Sequence, residues 1–291
     1  AQRIRATEPE FRNKVTKEAV DLLEKIIATN PTYPNLIDVK FEIAEILIEQ
    51  GMWLSEVLKT VVEAGARKKL KDDIDKTYSR VAQYLKEMID EYTNRMNKAQ
   101  GEEERDKLRN SLSTAAYLYG IGFYHYGTSY DKSEEKFKTL LEESIKNLRL
   151  FVAQYGDLVI SYEAADYCGL CYYELGRYGE AKSFFQIASY GLVKMIEESA
   201  EEDGADKRED ALMGTKDIIQ KAMGHYAKAA NANGEYALAI QSVDDLAKWF
   251  PKDDSPEMQL ATLEKAWAYF KTGNSIAFDM VKKIAEIRGV D

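Results

Sequence analysis

Cysteine, proline and histidine are scarce in this chain, and each scarcity closes off a class of protein. There are two cysteines in 291 residues, Cys168 and Cys171. Two thiols supply no disulfide framework, so stability must come from a packed core. The pair has the spacing of a redox motif, but a reactive thiolate belongs at a helix N-terminus. These two fall mid-helix in the pattern below and read as packing residues. The histidines, His125 and His225, stand far apart with no acid at a distinctive ligand interval, so no metal site is expected. Five prolines leave long stretches free to be helical. No apolar run approaches the roughly 18 residues that cross a bilayer. No glycine-rich phosphate loop follows a strand pattern either, since Gly120, Gly122 and Gly127 lie among tyrosines.

Positive charge is also in deficit. The formal net charge is −10 and the pI is near 5.0, an average field that repels phosphate backbones and anionic lipid surfaces. Neither nucleic-acid binding nor membrane insertion is expected. The adjacent acids Glu142–Glu143, Glu197–Glu198 and Glu201–Glu202 would point about 100° apart on a helix and read as solvated surface rather than acid–base pairs. With no catalytic, cofactor-binding or metal constellation, the expectation is a protein that is not an enzyme and uses no cofactor. The first residues, Ala1–Gln2, are similar to a mature N-terminus after signal-peptide cleavage; export is an expectation from that alone, with a cytoplasmic protein as the alternative.

What the chain does have is helical periodicity almost throughout, which gives an all-α class. A stripe of Val15, Ala19, Leu22, Leu23, Ile26 and Ile27 stops at Asn30–Asn35. A second helix carries Val39, Ile43 and Leu47 and is expected to end at Gly51, with a partner from Trp53 to Ala64. The basic cluster Arg67–Lys71 and the acids after it read as a solvated turn. A long helix then runs over 73–99, with Ile74, Tyr78, Val81, Leu85, Met88 and Tyr92 on one side, and two more span 104–127 and 133–155. Residues 201–210 are expected to be an exposed loop, followed by a helix over 206–231.

The best-defined stretch is 162–195. Small residues (Ala165, Gly169, Ala181, Ala188) alternate there with aromatics (Tyr172, Tyr178, Phe185), letting two helices approach to about 8 Å with rings filling the space opposite. Gly169, Tyr172, Gly176, Tyr178, Ala181, Phe185 and Ala188 resemble the signature of the tetratricopeptide (TPR) repeat, a 34-residue helical hairpin, with Val193 where the closing proline would stand. Residues 220–253 carry a second clear match through Gly234, Tyr236, Ala239, Leu246 and Pro251. Around these lie degenerate repeats at 10–64, long-helix hairpins at 73–155 and a degenerate terminal repeat at 257–291.

The resemblance implies one right-handed α-solenoid of stacked antiparallel hairpins over 1–291, with first helices lining a concave face. It carries inner-face positions onto Tyr117, Ile121 and Tyr124, then Glu163, Asp166, Leu170, Tyr173 and Glu174, then Lys221, Lys228 and Asn231. That surface would be aromatic, then acidic, then basic, suited to a peptide offering an apolar side chain to the tyrosines and a cation to the carboxylates. The implied function is a protein-interaction scaffold holding a peptide or helical segment of a partner. The alternative is an assembly subunit that self-associates through its ends, where Trp267, Phe270 and Phe278 cluster.

Overall fold

The structure, a computed structural model, describes residues 9–30, 36–203 and 205–288, and among them every regular element is helical. In chain order these are α1 (Pro9–Thr29), α2 (Leu36–Thr60), α3 (Ala64–Lys98), α4 (Glu102–Gly127), α5 (Glu135–Gln154), α6 (Val159–Glu174) and α7 (Tyr178–Gln186). A π-helical turn, Ile187–Gly191, leads into α8 (Leu192–Asp203). Then come α9 (Ala205–Gly214), α10 (Lys216–Ala232), α11 (Tyr236–Trp249), α12 (Pro256–Lys271) and α13 (Ile276–Arg288). No described helix is long and apolar enough to cross a membrane. The start at Ala1–Gln2, most of the stop at Asn30–Asn35 and the side chain of Phe278 lie outside the described residues. The chain packs as two compact units, Ala1–Asn147 and Leu148–Asp291, divided inside α5.

In the first unit, α2 packs on α3 and α3 on α4. The core is Ile43, Leu47 and Leu54 of α2 against Ile74, Leu85 and Met88 of α3, all essentially inaccessible. Gly51 does not end a helix as expected, for α2 runs through it to Thr60. A Cβ at Gly51 would stand 2.6 Å from the Tyr78 ring. This glycine is where α3 presses an aromatic ring against α2, and its lack of a side chain is a packing requirement. The turn comes at 61–63 instead. There the Glu63 carboxylate accepts from the amides of Gly65 (2.8 Å) and Ala66 (2.6 Å), capping α3.

The basic cluster is likewise helical and not a turn. Arg67, in the first turns of α3, donates to the carbonyls of Leu58 (2.9 Å) and Val61 (3.0 Å), closing the end of α2. Asp75 ties α3 to the end of α4, the α4–α5 connection and the start of α5: Tyr126 (2.9 Å) and Tyr130 donate to one carboxylate oxygen and Lys136 (2.7 Å) to the other. Burial pushes the Asp75 carboxyl up, but hydrogen bonds from Lys136, Tyr130 and Tyr126 outweigh it and hold the group below the ordinary range.

In the second unit, α6 and α7 form the expected close hairpin. A Cβ at Gly169 would lie 2.5 Å from the ring of Phe185, which is itself buried. Gly176 takes φ of 75°, and Gly234 and Gly273 take 77° and 76°. Each of these turns closes with the same bond from the following amide to the carbonyl five residues back: Arg177 to Tyr172, Glu235 to Ala230 and Asn274 to Tyr269. That is the Schellman closure, for which glycine is favoured by its left-handed conformation.

The return helix runs on beyond the repeat's last residue, 195. Val193, standing where a proline would break the helix, is buried in α8, which continues to Asp203. The segment 201–210 is therefore helical on both sides of residue 204, not an open loop, with Arg208 donating to Glu197 at 2.9 Å. The helix expected over 206–231 divides at Thr215, whose hydroxyl donates to the Ala211 carbonyl at 2.9 Å and ends α9. Leu192, Val193 and Ile196 then share one core with Ile219, Met223, Val243 and Leu246.

Candidate functional site

The second unit contains a cleft of about 710 Å³ built by the ends of α6 and α10, the C-terminal half of α12, and α13. α10 contributes Lys228 and Asn231, placed three apart so that both face the same side. Tyr173 enters from the last turn of α6, and Glu264, Trp267 and Phe270 from α12, again at three-residue spacing. Ala277 and Val281 of α13 close the far wall. Most of the lining is apolar.

Two features set this cleft apart from an ordinary packing gap. Trp267 is 48% exposed and Phe270 58%, their rings stacked with centroids 5.6 Å apart. Large aromatics stacked on each other in water leave apolar area that a contact would bury. The second feature is polar. The Asn231 amide nitrogen donates to the backbone carbonyl and the carboxylate of Glu264, both at 2.9 Å. That fixes the amide, and its carbonyl oxygen is left buried with no donor. An orphaned buried acceptor costs about 1–3 kcal/mol.

Cations sit over the rings. Lys228 Nζ is 4.9 Å above the Tyr173 ring and Lys271 Nζ 4.7 Å above that of Trp267. Burial pushes the Tyr173 hydroxyl pKa up, with Tyr178, Glu264 and Glu174 adding to it, so the phenol stays protonated as a neutral donor and acceptor.

Of the expected positions, Tyr173, Lys228 and Asn231 line this cleft and the others do not. Tyr117 and Ile121 belong to the first unit and are buried, so they present no surface to a partner. Tyr124, also in that unit, is half-buried beside His125, with ring centroids 5.2 Å apart. Asp166 is buried and accepts from His225 Nδ1 at 2.9 Å, so it offers no free carboxylate to a ligand cation. The resemblance places Asp166 at an inner-face position, and the histidine on α10 makes it a strut between α6 and α10. Glu163, Leu170 and Glu174 are half-buried and Lys221 is exposed, and none of the four lines the cleft.

Glu264, Trp267, Phe270 and Val281 were not among the expected lining residues. Their signal is present in part: Trp267 and Phe270 stand three apart near the end of α12, followed by Lys271. The cysteines are fully buried, and burial drives the Cys168 thiol pKa far up, with Cys171 adding to it, so Cys168 is not a poised thiolate.

No family model matches the chain, and no curated protein matches it. Among solved structures, a chain described under "Computational Design of Self-Assembling Cyclic Protein Homooligomers" aligns over 95% of this chain and 97% of its own. The identity is 12% and the TM-score 0.29, a likeness too slight to bear on this protein.

Proposed function

We propose that this protein is a non-enzymatic interaction scaffold of TPR-like hairpins, stacked as a right-handed solenoid, whose second unit receives a peptide or helical segment of a partner protein. The observation that carries the reading is the solvent-facing Trp267–Phe270 stack at the mouth of a cleft floored by Asn231. The recurrence of one turn geometry at Gly176, Gly234 and Gly273 supports a repeat construction. Aromatic anchors in a preformed cleft are a common core of peptide recognition.

The test is selection of binding peptides from a displayed library on the wild-type protein, followed by affinity measurement on a Trp267→Ser/Phe270→Ser variant. Both side chains are substantially exposed, so the variant should fold. The expected result is a loss of at least about ten-fold; equal affinity for both proteins would remove the cleft from the reading.

Assembly through the end of the chain is the second reading. It is favoured by Leu260, Trp267, Phe270, Ile276 and Val281, all exposed by about half on the α12–α13 hairpin. A sedimentation mass that rises with concentration in the wild type, and not in the same double variant, is the outcome this alternative requires.

A further inference from the structure

Resting on the scaffold reading of the same cleft, we infer that its occupant is an acidic peptide segment: Asp or Glu side chains flanking one large apolar side chain. The polarity is the reverse of a ligand that brings a cation to carboxylates. Some of the cations of this unit are already used. Lys182, Lys216 and Lys265 each meet a carboxylate, those of Glu235, Asp253 and Asp244. Lys228 and Lys271 do not. Both are exposed, each stands over an aromatic ring of the cleft, and among the described residues neither has an ion-pair partner.

In a chain of net charge −10, two unspent cations at one apolar cleft are a local departure from the surrounding field. The one carboxylate in the lining, that of Glu264, is engaged by the Asn231 amide. A ligand acid thus finds two ammonium groups, while a ligand cation finds them as repulsion. Between them, Trp267, Phe270 and Val281 offer apolar surface about half open to water, enough to receive an aromatic or aliphatic side chain. The orphaned carbonyl oxygen of Asn231 is the polar atom of the floor that a peptide N–H would satisfy as the segment seats. Only Lys228 of the two lysines is itself in the lining, so the site reads side-chain acids along a segment and holds no paired-lysine grip on a chain terminus.

The experiment uses the whole chain and three short fluorescent peptides with blocked termini. They share a central Trp and are flanked by Asp/Glu, by Ser, or by Lys. Fluorescence anisotropy is expected to rank them acidic, neutral, basic, with the acidic peptide tighter than the neutral one by about ten-fold. Raising NaCl from about 50 to about 500 mM should weaken the acidic peptide several-fold and leave the neutral one nearly unchanged. In Lys228→Glu/Lys271→Glu the order should invert.

Equal affinity for acidic and neutral peptides, no salt effect, or an order that survives the double reversal would each overturn the acidic assignment and leave the scaffold reading standing. If none of the three binds at millimolar concentration, and the neutral peptide fails with the others, both readings fall. The salt titration on the wild type decides the matter even if the double variant does not fold.

Discussion

The two units solve the same packing problem alike and the same connection problem differently. In each, a helix gives up a side chain so that an aromatic ring of a neighbouring helix can lie against its backbone: Gly51 under Tyr78 in the first unit, Gly169 under Phe185 in the second. The connections then diverge. The second unit repeats one left-handed glycine turn three times, each with the same closing hydrogen bond. The first has no left-handed residue among its described connections and joins its helices by individual side-chain bonds from Glu63, Arg67 and the Asp75 cluster. Backbone-closed turns make interchangeable hairpins, whereas side-chain-closed turns make a unit that is specific to its own residues.

The largest effects should come from the shared device. Gly169→Ala and Gly51→Ala each place a methyl within 2.6 Å of a buried ring, in a helix where alanine itself is favoured by about 1 kcal/mol. Overpacking of about 1–3 kcal/mol should outweigh that gain, for a net loss of up to about 2 kcal/mol in each unit. Hydrogen exchange read by mass spectrometry can assign the loss, which should be confined to the helices of the substituted unit. If Gly51→Ala is neutral, the close approach of α2 and α3 is adjustable in a way that α6 and α7 are not, and the likeness between the units breaks down.

Much of the second unit was legible in the sequence because its punctuation is local. A glycine at a left-handed turn and small residues facing aromatics leave marks within a single window, as Gly176, Gly234 and Phe185 do. The first unit is not legible at Gly51 and at Arg67–Lys71 for the opposite reason. A helix-breaking residue and a ring-accepting residue are the same letter, and only the position of Tyr78, on the next helix, tells them apart. A basic cluster looks solvated until the carbonyls of Leu58 and Val61 come within reach of Arg67. At the candidate site, the resemblance points to Tyr173, Lys228 and Asn231, which line the cleft, and equally to Asp166, whose partner histidine lies on α10, far along the chain. Glu264 and Trp267 come from yet another helix, and no local pattern ties them to Asn231.

Acid should separate the units by a smaller margin. In the first, burial lowers the pKa of His125 to about 4 from an ordinary value near 6.5. The unfolded chain therefore binds a proton in that interval and the folded one does not. Stability from this source is complete above about pH 6.5 and falls as the pH drops towards 4. The ring is half-buried by area, so we expect about 1–2 kcal/mol rather than the full shift. In the second unit the Asp253 carboxyl is affected by burial, which raises it, and by Lys216, Ser255 and Gln220, which bring it down to about 2. Its contribution is present above about pH 3.8 and is lost only below that value, as the pH falls towards 2. Urea titrations of the wild type and His125→Asn at pH 7 and pH 4.5 should converge at the lower pH. A constant difference between the two proteins would show that His125 titrates normally.

The smallest effect, and the sharpest in sign, concerns two tyrosines of the first unit that stack with centroids 5.0 Å apart. Tyr126 donates to Asp75, so Tyr126→Phe should cost about 1 kcal/mol. The Tyr78 hydroxyl is buried without a hydrogen-bond partner. Its neighbour Ser55 is already within 2.7 Å of the Gly51 carbonyl and 2.6 Å of the Ser129 hydroxyl. Burial accordingly pushes the Tyr78 pKa upward, with Ser55 only opposing the shift. Tyr78→Phe removes a desolvated hydroxyl and keeps the ring that fills the space over Gly51, so it should leave stability unchanged or raise it by up to about 1 kcal/mol. Chemical denaturation of the two single variants measures both. A loss for Tyr78→Phe equal to that for Tyr126→Phe would mean that the hydroxyl is satisfied in solution, with the serines of α2 and the α4–α5 connection forming one continuous polar network beneath the ring.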